Sequence, residues 1–180
     1  LLKVNFRILS IFFFLPYLGF SQYTTIPDQY FEQKLIEYGY DGVIDGQVLT
    51  SSIDTVTVLH LNFRPQFGNY TNFSLISDLT GIEDFTALEN LQLYSSNIVT
   101  INLSNNTSLT NLDLHRNNLY YLDISNNTLL THLNISLNKL SNLNLTQNTL
   151  LDSVWCYWNK LENIDLTNNM NLKNLACYDN

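Results

Sequence analysis

Bond-making or metal chemistry in this 180-residue chain would have to come from three histidines, two cysteines and 16 acidic residues. His60, His115 and His132 lie far apart and lack the short spacing of a metal-binding set. The chain contains no nucleophile elbow, no HExxH pair and no phosphate-cradling glycine loop. Asp41 and Asp45 in DGVID could offer oxygens to calcium, but the other positions of a calcium loop and its closing Glu are missing, so the segment reads as a polar turn. The expectation is no catalytic residue, no metal and no cofactor. Non-covalent chemistry is better represented. Trp155, Tyr157, Trp158 and Tyr178 crowd one end of the chain, and Tyr94, His115 and Arg116 lie upstream. Trp, Tyr and Arg carry much of the energy at binding interfaces. Whether these side chains meet depends on the elements that hold them.

Those elements follow from a 21-residue period: from Leu91 the units read LQLYSSNIVTINLSNNTSLTN, LDLHRNNLYYLDISNNTLLTH, LNISLNKLSNLNLTQNTLLDS and VWCYWNKLENIDLTNNMNLKN, then a partial LACYDN. A fixed internal period of this length implies a solenoid. Unit positions 1, 3, 8, 11, 13 and 19 are apolar in all four full units, as Leu112, Leu114, Leu119, Leu122, Ile124 and Leu130 illustrate in the second. The pair at positions 1 and 3 is the period-two mark of a short strand with one buried face, and stacked units place such strands in a parallel ladder about 4.8 Å apart.

Position 6 carries Asn117, Asn138, Asn159 and Asn180, with Ser96 in the first unit, and position 16 carries Asn106, Asn127, Asn148 and Asn169. An amide offers two donors and an acceptor, so both columns are expected to be structural ladders serving the turns of their own and the next unit. Asp123 and Asp165, with Asn102 and Asn144, form an outward column at position 12 that solvation alone would explain. Cys156 and Cys177 share position 3 and are expected to be reduced inward thiols; export would permit a disulfide, though in-register parallel neighbours rarely give it relaxed geometry. Variability then falls on positions 2, 4, 5 and 7 of the concave ladder. There Trp155 and Tyr157 share a strand face, Trp158 lies at the bend, Tyr178 is one strand spacing from Tyr157, and Tyr94, His115 and Arg116 extend the strip. These seven residues are the expected ligand-binding set. Mere packing of the rings along the ladder is the competing use.

The LxLxxNxL pattern of Leu112, Leu114, Asn117 and Leu119 resembles the first segment of leucine-rich repeats. Each unit nests a second such segment, LDISNN at 122–127 or IDLTNN at 164–169, which is similar to the 21-residue subclass called IRREKO, found largely in bacteria. The resemblance implies an arc or superhelix with a parallel β ladder on its concave face and the second segment, as short strands or turns, on the other side. DGVIDGQVLTSSI and ISDLTGIEDFTALENL further resemble the amino-terminal region of secreted leucine-rich-repeat proteins of the Bacteroidetes lineage. Many of those carry a carboxy-terminal sorting domain, so the type IX secretion machinery is an implied partner through a domain absent from this chain.

Residues 1–21 pair Lys3 and Arg7 with an apolar run from Ile8 to Phe20, which reads as a secretory signal peptide cleaved before Gln22. The run is shorter than the roughly 20 residues of a membrane span, so no membrane insertion is expected after cleavage. Removing Lys3 and Arg7 leaves six cations against 16 acids, a formal charge of −10, which argues against nucleic acid as a partner. Residues 22–56 are assigned to an amino-terminal helical cap: Pro27 and Asp28 open a helix, Phe31, Leu35 and Tyr38 give it one apolar face, and Gly39 stops it. Residues 57–180 are assigned to leucine-rich repeats, the first irregular. Leu59 and Leu91 stand 32 residues apart, so roughly ten residues are inserted, within 62–75, where Phe63, Arg64, Phe67, Tyr70 and Phe73 would fold over the first strands or meet a ligand.

The last unit is incomplete, so the chain is expected to be a carboxy-terminally truncated piece of a longer product. The sequence thus points to an exported, non-catalytic protein at the surface of a Gram-negative bacterium, binding a protein or surface glycan for adhesion or recognition. The rival readings are a targeting or substrate-binding region of a larger secreted enzyme, and a structural surface spacer.

Overall fold

A computed structural model describes residues 22–62 and 76–180. The signal-peptide reading at 1–21, and all of the expected insertion except Asn62, lie outside the described residues.

The amino-terminal part is built around one helix, α1 (Gln29–Glu37). Asp28 starts it by accepting from the amides of Tyr30 and Phe31 at 2.9 and 3.1 Å, which satisfies two of the donors that a helix leaves unpaired at this end. Gly39, at φ +78°, turns the chain out while its amide bonds Ile36 O. The inner face buries Phe31 and Leu35 completely, and Phe31 stacks on Phe85 at 6.1 Å. Full burial of one such ring stabilises the fold by about 1.5–3 kcal/mol. Tyr38, expected on that face, is instead nearly half exposed and donates its hydroxyl to His60 O at 2.6 Å, tying the helix to the first strand of the ladder.

A feature absent from the sequence reading flanks the helix. β1 (Tyr23–Thr25) and β2 (Gln47–Leu49) pair antiparallel on either side of it in sequence. Three residues each, without clear alternation, are too short to give a periodic signal. The DGVID segment between helix and β2 is organised by Glu32, whose buried Oε1 accepts the amides of Asp45, Gly46 and Gln47 at 2.9, 2.7 and 3.2 Å.

The solenoid follows as six parallel strands in sequence order: β3 (Val58–His60), β4 (Asn90–Gln92), β5 (Asn111–Asp113), β6 (His132–Asn134), β7 (Ser153–Trp155) and β8 (Asn174–Ala176). Leu59 pairs with Leu91; Leu91, Leu112, Leu133, Val154 and Leu175 then align at 21-residue steps. After β4 to β8 the chain turns out of the ladder at position 5, which takes a left-handed backbone: Ser95, Arg116, Leu137, Trp158 and Asp179 all have φ between 53° and 57°. None is glycine, so each side chain bears strain of about 1–2 kcal/mol. The bend aims main-chain donors along the stack, as in Arg116 N to Ser136 O and Leu137 N to Tyr157 O, both 2.9 Å.

Position-6 asparagines bond the preceding unit and their own, and position-16 asparagines bond the preceding unit, the opposite direction along the stack from the one expected. Asn138 Nδ2 donates to Leu114 O and Ile135 O at 3.0 Å, while its Oδ1 accepts Leu119 N at 3.0 Å. Ser96, which replaces Asn in the first unit, donates its hydroxyl to Ile76 O at 2.6 Å. At position 16, Asn127 Nδ2 donates to Leu103 O and Asn106 O at 3.1 and 2.9 Å, but the buried Oδ1 atoms of Asn106, Asn127, Asn148 and Asn169 accept nothing.

Opposite the ladder the described chain makes turns rather than strands. Position 12 is more than a solvated column: Asn102, Asp123, Asn144 and Asp165 each accept, at 2.9–3.2 Å, the amide two residues on, closing the same side-chain turn in every unit. Backbone hydrogen bonds from Ser125 and Thr167, and then the hydroxyls of those residues, hold the Asp123 and Asp165 carboxyls below the usual carboxylate range.

Candidate recognition face on the concave ladder

Strand geometry sends position 1 inward and positions 21, 2 and 4 outward on the concave side. Across β4 to β7 the outward side chains line an open hollow of about 420 Å³. Asn90 and Gln92 line it from β4, Asn111 and Asp113 from β5, His132 and Asn134 from β6, and Trp155 with Tyr157 from β7 and the residues after it. Leu112, its side chain buried behind the strand, completes the lining.

The seven side chains singled out from sequence separate into three groups. Trp155 and Tyr157 line the hollow. Two ring pairs run along the ladder beside position 4: Tyr94 stacks on His115 with centroids 4.6 Å apart, and Tyr157 on Tyr178 at 4.8 Å, the latter planes only 5° from parallel. Arg116 and Trp158 stand exposed at the left-handed bend, outside the hollow, and the Trp158 indole donates to the Asp179 carboxylate.

The polar half of the lining was missed. Asn90, Asn111 and His132 occupy position 21, directly before the repeat's first leucine, and were left out because the unit was read from position 1 onward. The alternation of a strand places 21, 2 and 4 on one face, so the signal was available.

Histidine and carboxylate meet twice along this face. His115 Nδ1 lies 2.7 Å from Asp113 Oδ1, which also accepts the His115 amide at 3.1 Å. His132 Nε2 lies 3.5 Å from Asp152 Oδ1, and its Nδ1 is 2.9 Å from Thr131 Oγ1. The Thr131 hydroxyl beside His132 is also spent on the backbone, donating to Thr110 O at 3.1 Å. The neighbouring serine, Ser136, is fully buried, and its hydroxyl donates to Asn134 Oδ1 at 2.8 Å. Among the described residues no group of three or more His, Cys, Asp and Glu could hold a metal ion.

Behind the strip, Cys156 is fully buried and its thiol is pushed up to about 11, by burial first and by Cys177 second. Both cysteines are free, and Cys177, expected inward, is exposed on the residue after β8. Among the described residues no helix is long and apolar enough to cross a membrane.

Parallel three-residue strands at a 21-residue step, a left-handed bend and stacked asparagines define a leucine-rich-repeat solenoid. The solved structures it is similar to have the same architecture. The functional domain of InlJ from Listeria monocytogenes, which includes a cysteine ladder, matches 87% of this chain at 33% identity and a TM-score of 0.73. An internalin, InlF, from the same species matches 83% at 23% identity and a TM-score of 0.67. A leucine-rich-repeat protein of Leptospira interrogans matches 71% at 19% identity and a TM-score of 0.56. The chain spans 33%, 43% and 32% of those three structures. No protein-family model matches the chain, and no curated protein matches it.

Proposed function

We propose that this chain is a non-catalytic recognition module of an exported protein, with the concave hollow as its contact surface for a protein or surface glycan. The observation that carries this reading is the juxtaposition of Trp155 and Tyr157 with planar polar side chains in one 420 Å³ hollow, inside the usual range of about 300–1,000 Å³ for ligand sites. Aromatic area supplies affinity there and the polar groups supply orientation.

In this reading α1 and the β1–β2 pair shield the first repeat from water, as terminal units of solenoids do. In the same reading residues 1–21 are a signal peptide for export and 57–180 the repeat array, and the resemblance to 21-residue repeats and to Bacteroidetes-lineage proteins supports a Gram-negative surface as the location. The acidic balance disfavours nucleic acid as the partner.

The test compares the parent with a Trp155→Ala/Trp158→Ala variant on glycan and surface-protein arrays, with circular dichroism confirming equal folding. Binding that the variant loses supports the module. Binding by both in equal measure removes the aromatic strip from the site, and binding by neither favours a spacer.

A further inference from the structure

The geometry points to the kind of ligand the hollow accepts: we infer that it is a subsite for a neutral saccharide, with a sugar ring seated against Trp155. This inference rests on the concave-face reading and narrows it.

Size comes first. The hollow crosses four strands, so it is about 14 Å long at about 4.8 Å per strand. A hollow of about 420 Å³ and that length accommodates a short oligosaccharide lying along the strands. The lining chemistry agrees. Gln92, Asn111 and Asn134 present amides and Asp113 a carboxylate, groups that bond neighbouring hydroxyls in pairs. The side chains of Gln92 and Asn111 make no hydrogen bond to any described residue, so their full capacity faces the hollow. Apart from the two aromatic side chains the lining is polar, since Leu112, its one aliphatic residue, is buried.

The aromatic wall supplies the other half of sugar recognition. A pyranose offers polar hydroxyls at its rim and weakly positive C–H bonds on its faces, which suit the negative face of an indole or phenol ring. Tyr157 is held in place by its stack on Tyr178, so little freedom is lost when a ligand arrives. Charge selects among sugars. No Lys or Arg lines the hollow and Asp113 does, so sialic acids and uronates meet a carboxylate with only the His132 imidazole in the lining, and the His115 imidazole against Asp113, to offset it.

The chain has two tryptophans, which makes a direct test available. Trp158→Asn leaves Trp155 as the only reporter, and Asn tolerates the left-handed backbone at that position. The variant is titrated with neutral hexose and N-acetylhexosamine oligosaccharides of two to four rings, and with their sialylated and uronate counterparts. A saturable change in Trp155 emission is expected with neutral ligands, with affinity falling at least about tenfold in Asn111→Ala and for the acidic counterparts. Asp113→Asn is expected to narrow the neutral-to-acidic difference. Equal binding of acidic sugars, or no response to any neutral oligosaccharide, overturns the inference. The same proteins are then screened on a surface-protein array: capture lost in Trp155→Ala without any saccharide response keeps the recognition reading and discards the sugar subsite, and silence in both assays discards both.

Discussion

Truncating one asparagine from each ladder should have unequal effects, although both are buried amides of identical composition. Asn138→Ala removes two donors, to Leu114 O and Ile135 O, and one acceptor, for Leu119 N. The two carbonyls are still served, Leu114 O by Asn117 and Ile135 O by Asn159, because each position-3 carbonyl is shared by successive ladder members. Leu119 N has no other partner. Three lost bonds at about 1 kcal/mol each, plus about 1–3 kcal/mol for a buried orphan donor, give about 4–6 kcal/mol. Asn127→Ala removes only donors, and its two acceptors keep partners: Leu103 O still receives Asn106 N, and Asn106 O still receives Leu109 N. The same truncation deletes an Oδ1 that is buried without a partner. The cost is then about 2 kcal/mol or less. Urea unfolding of both variants, with unchanged m value as the control for two-state behaviour, measures the difference. Equal losses, or a larger loss for Asn127→Ala, would refute the redundancy argument.

Gly81 has φ +99°, and a Cβ there would stand 2.5 Å from Ile26 Cδ1 and 2.6 Å from Thr25 O, so Gly81→Ala should destabilise by about 2–4 kcal/mol in the same assay. Asp28 is nearly buried; burial alone raises its pKa, but the amides of Ser77, Phe31 and Asp78 and the Ser77 hydroxyl prevail and lower it below 3.8. A depressed folded-state pKa means that its stabilisation is present above the unfolded value and disappears as pH falls through the folded one. Acid unfolding followed below about pH 4 should therefore lose a contribution that Asp28→Asn lacks at every pH. Leu137→Asn should relieve the left-handed strain at φ 56° and raise stability by up to about 1 kcal/mol, read as a shift in thermal midpoint. With a thiol near 11, Cys156 should resist iodoacetamide at pH 8 in the folded protein and react once the chain is unfolded in urea, as peptide mass spectrometry would show.

The ladder was legible because its determinants are local and recur. Each apolar position in a unit answers to one buried contact, and the same spacing returns 21 residues later as a hydrogen-bonded register. The helix was legible for the same reason, since Asp28 and Gly39 mark its ends within one turn. The β1–β2 pair was not, because three-residue strands depend on a partner more than 20 residues away. Glu32 escaped notice too: a charged residue on a helix normally faces water, and only the fold brings three amides to its carboxylate. The direction of the asparagine bonds is likewise a property of stacking rather than of composition.

The hollow shows how such a fold leaves room for function. Positions 1, 3, 6 and 16 are committed to core or ladder, and position 5 to the bend, so altering them disturbs neighbouring units as well as their own. Positions 21, 2 and 4 carry only side chains whose backbone is already satisfied along the ladder, and they can change chemistry without a structural cost of that kind. Trp155 is the clearest case. Its equivalents in register are Asn134 and Ala176, so the strand accepts an amide, a methyl or an indole at one position. A side chain of that size is not required by the ladder, and its placement beside amides and a carboxylate is what the proposed recognition role rests on.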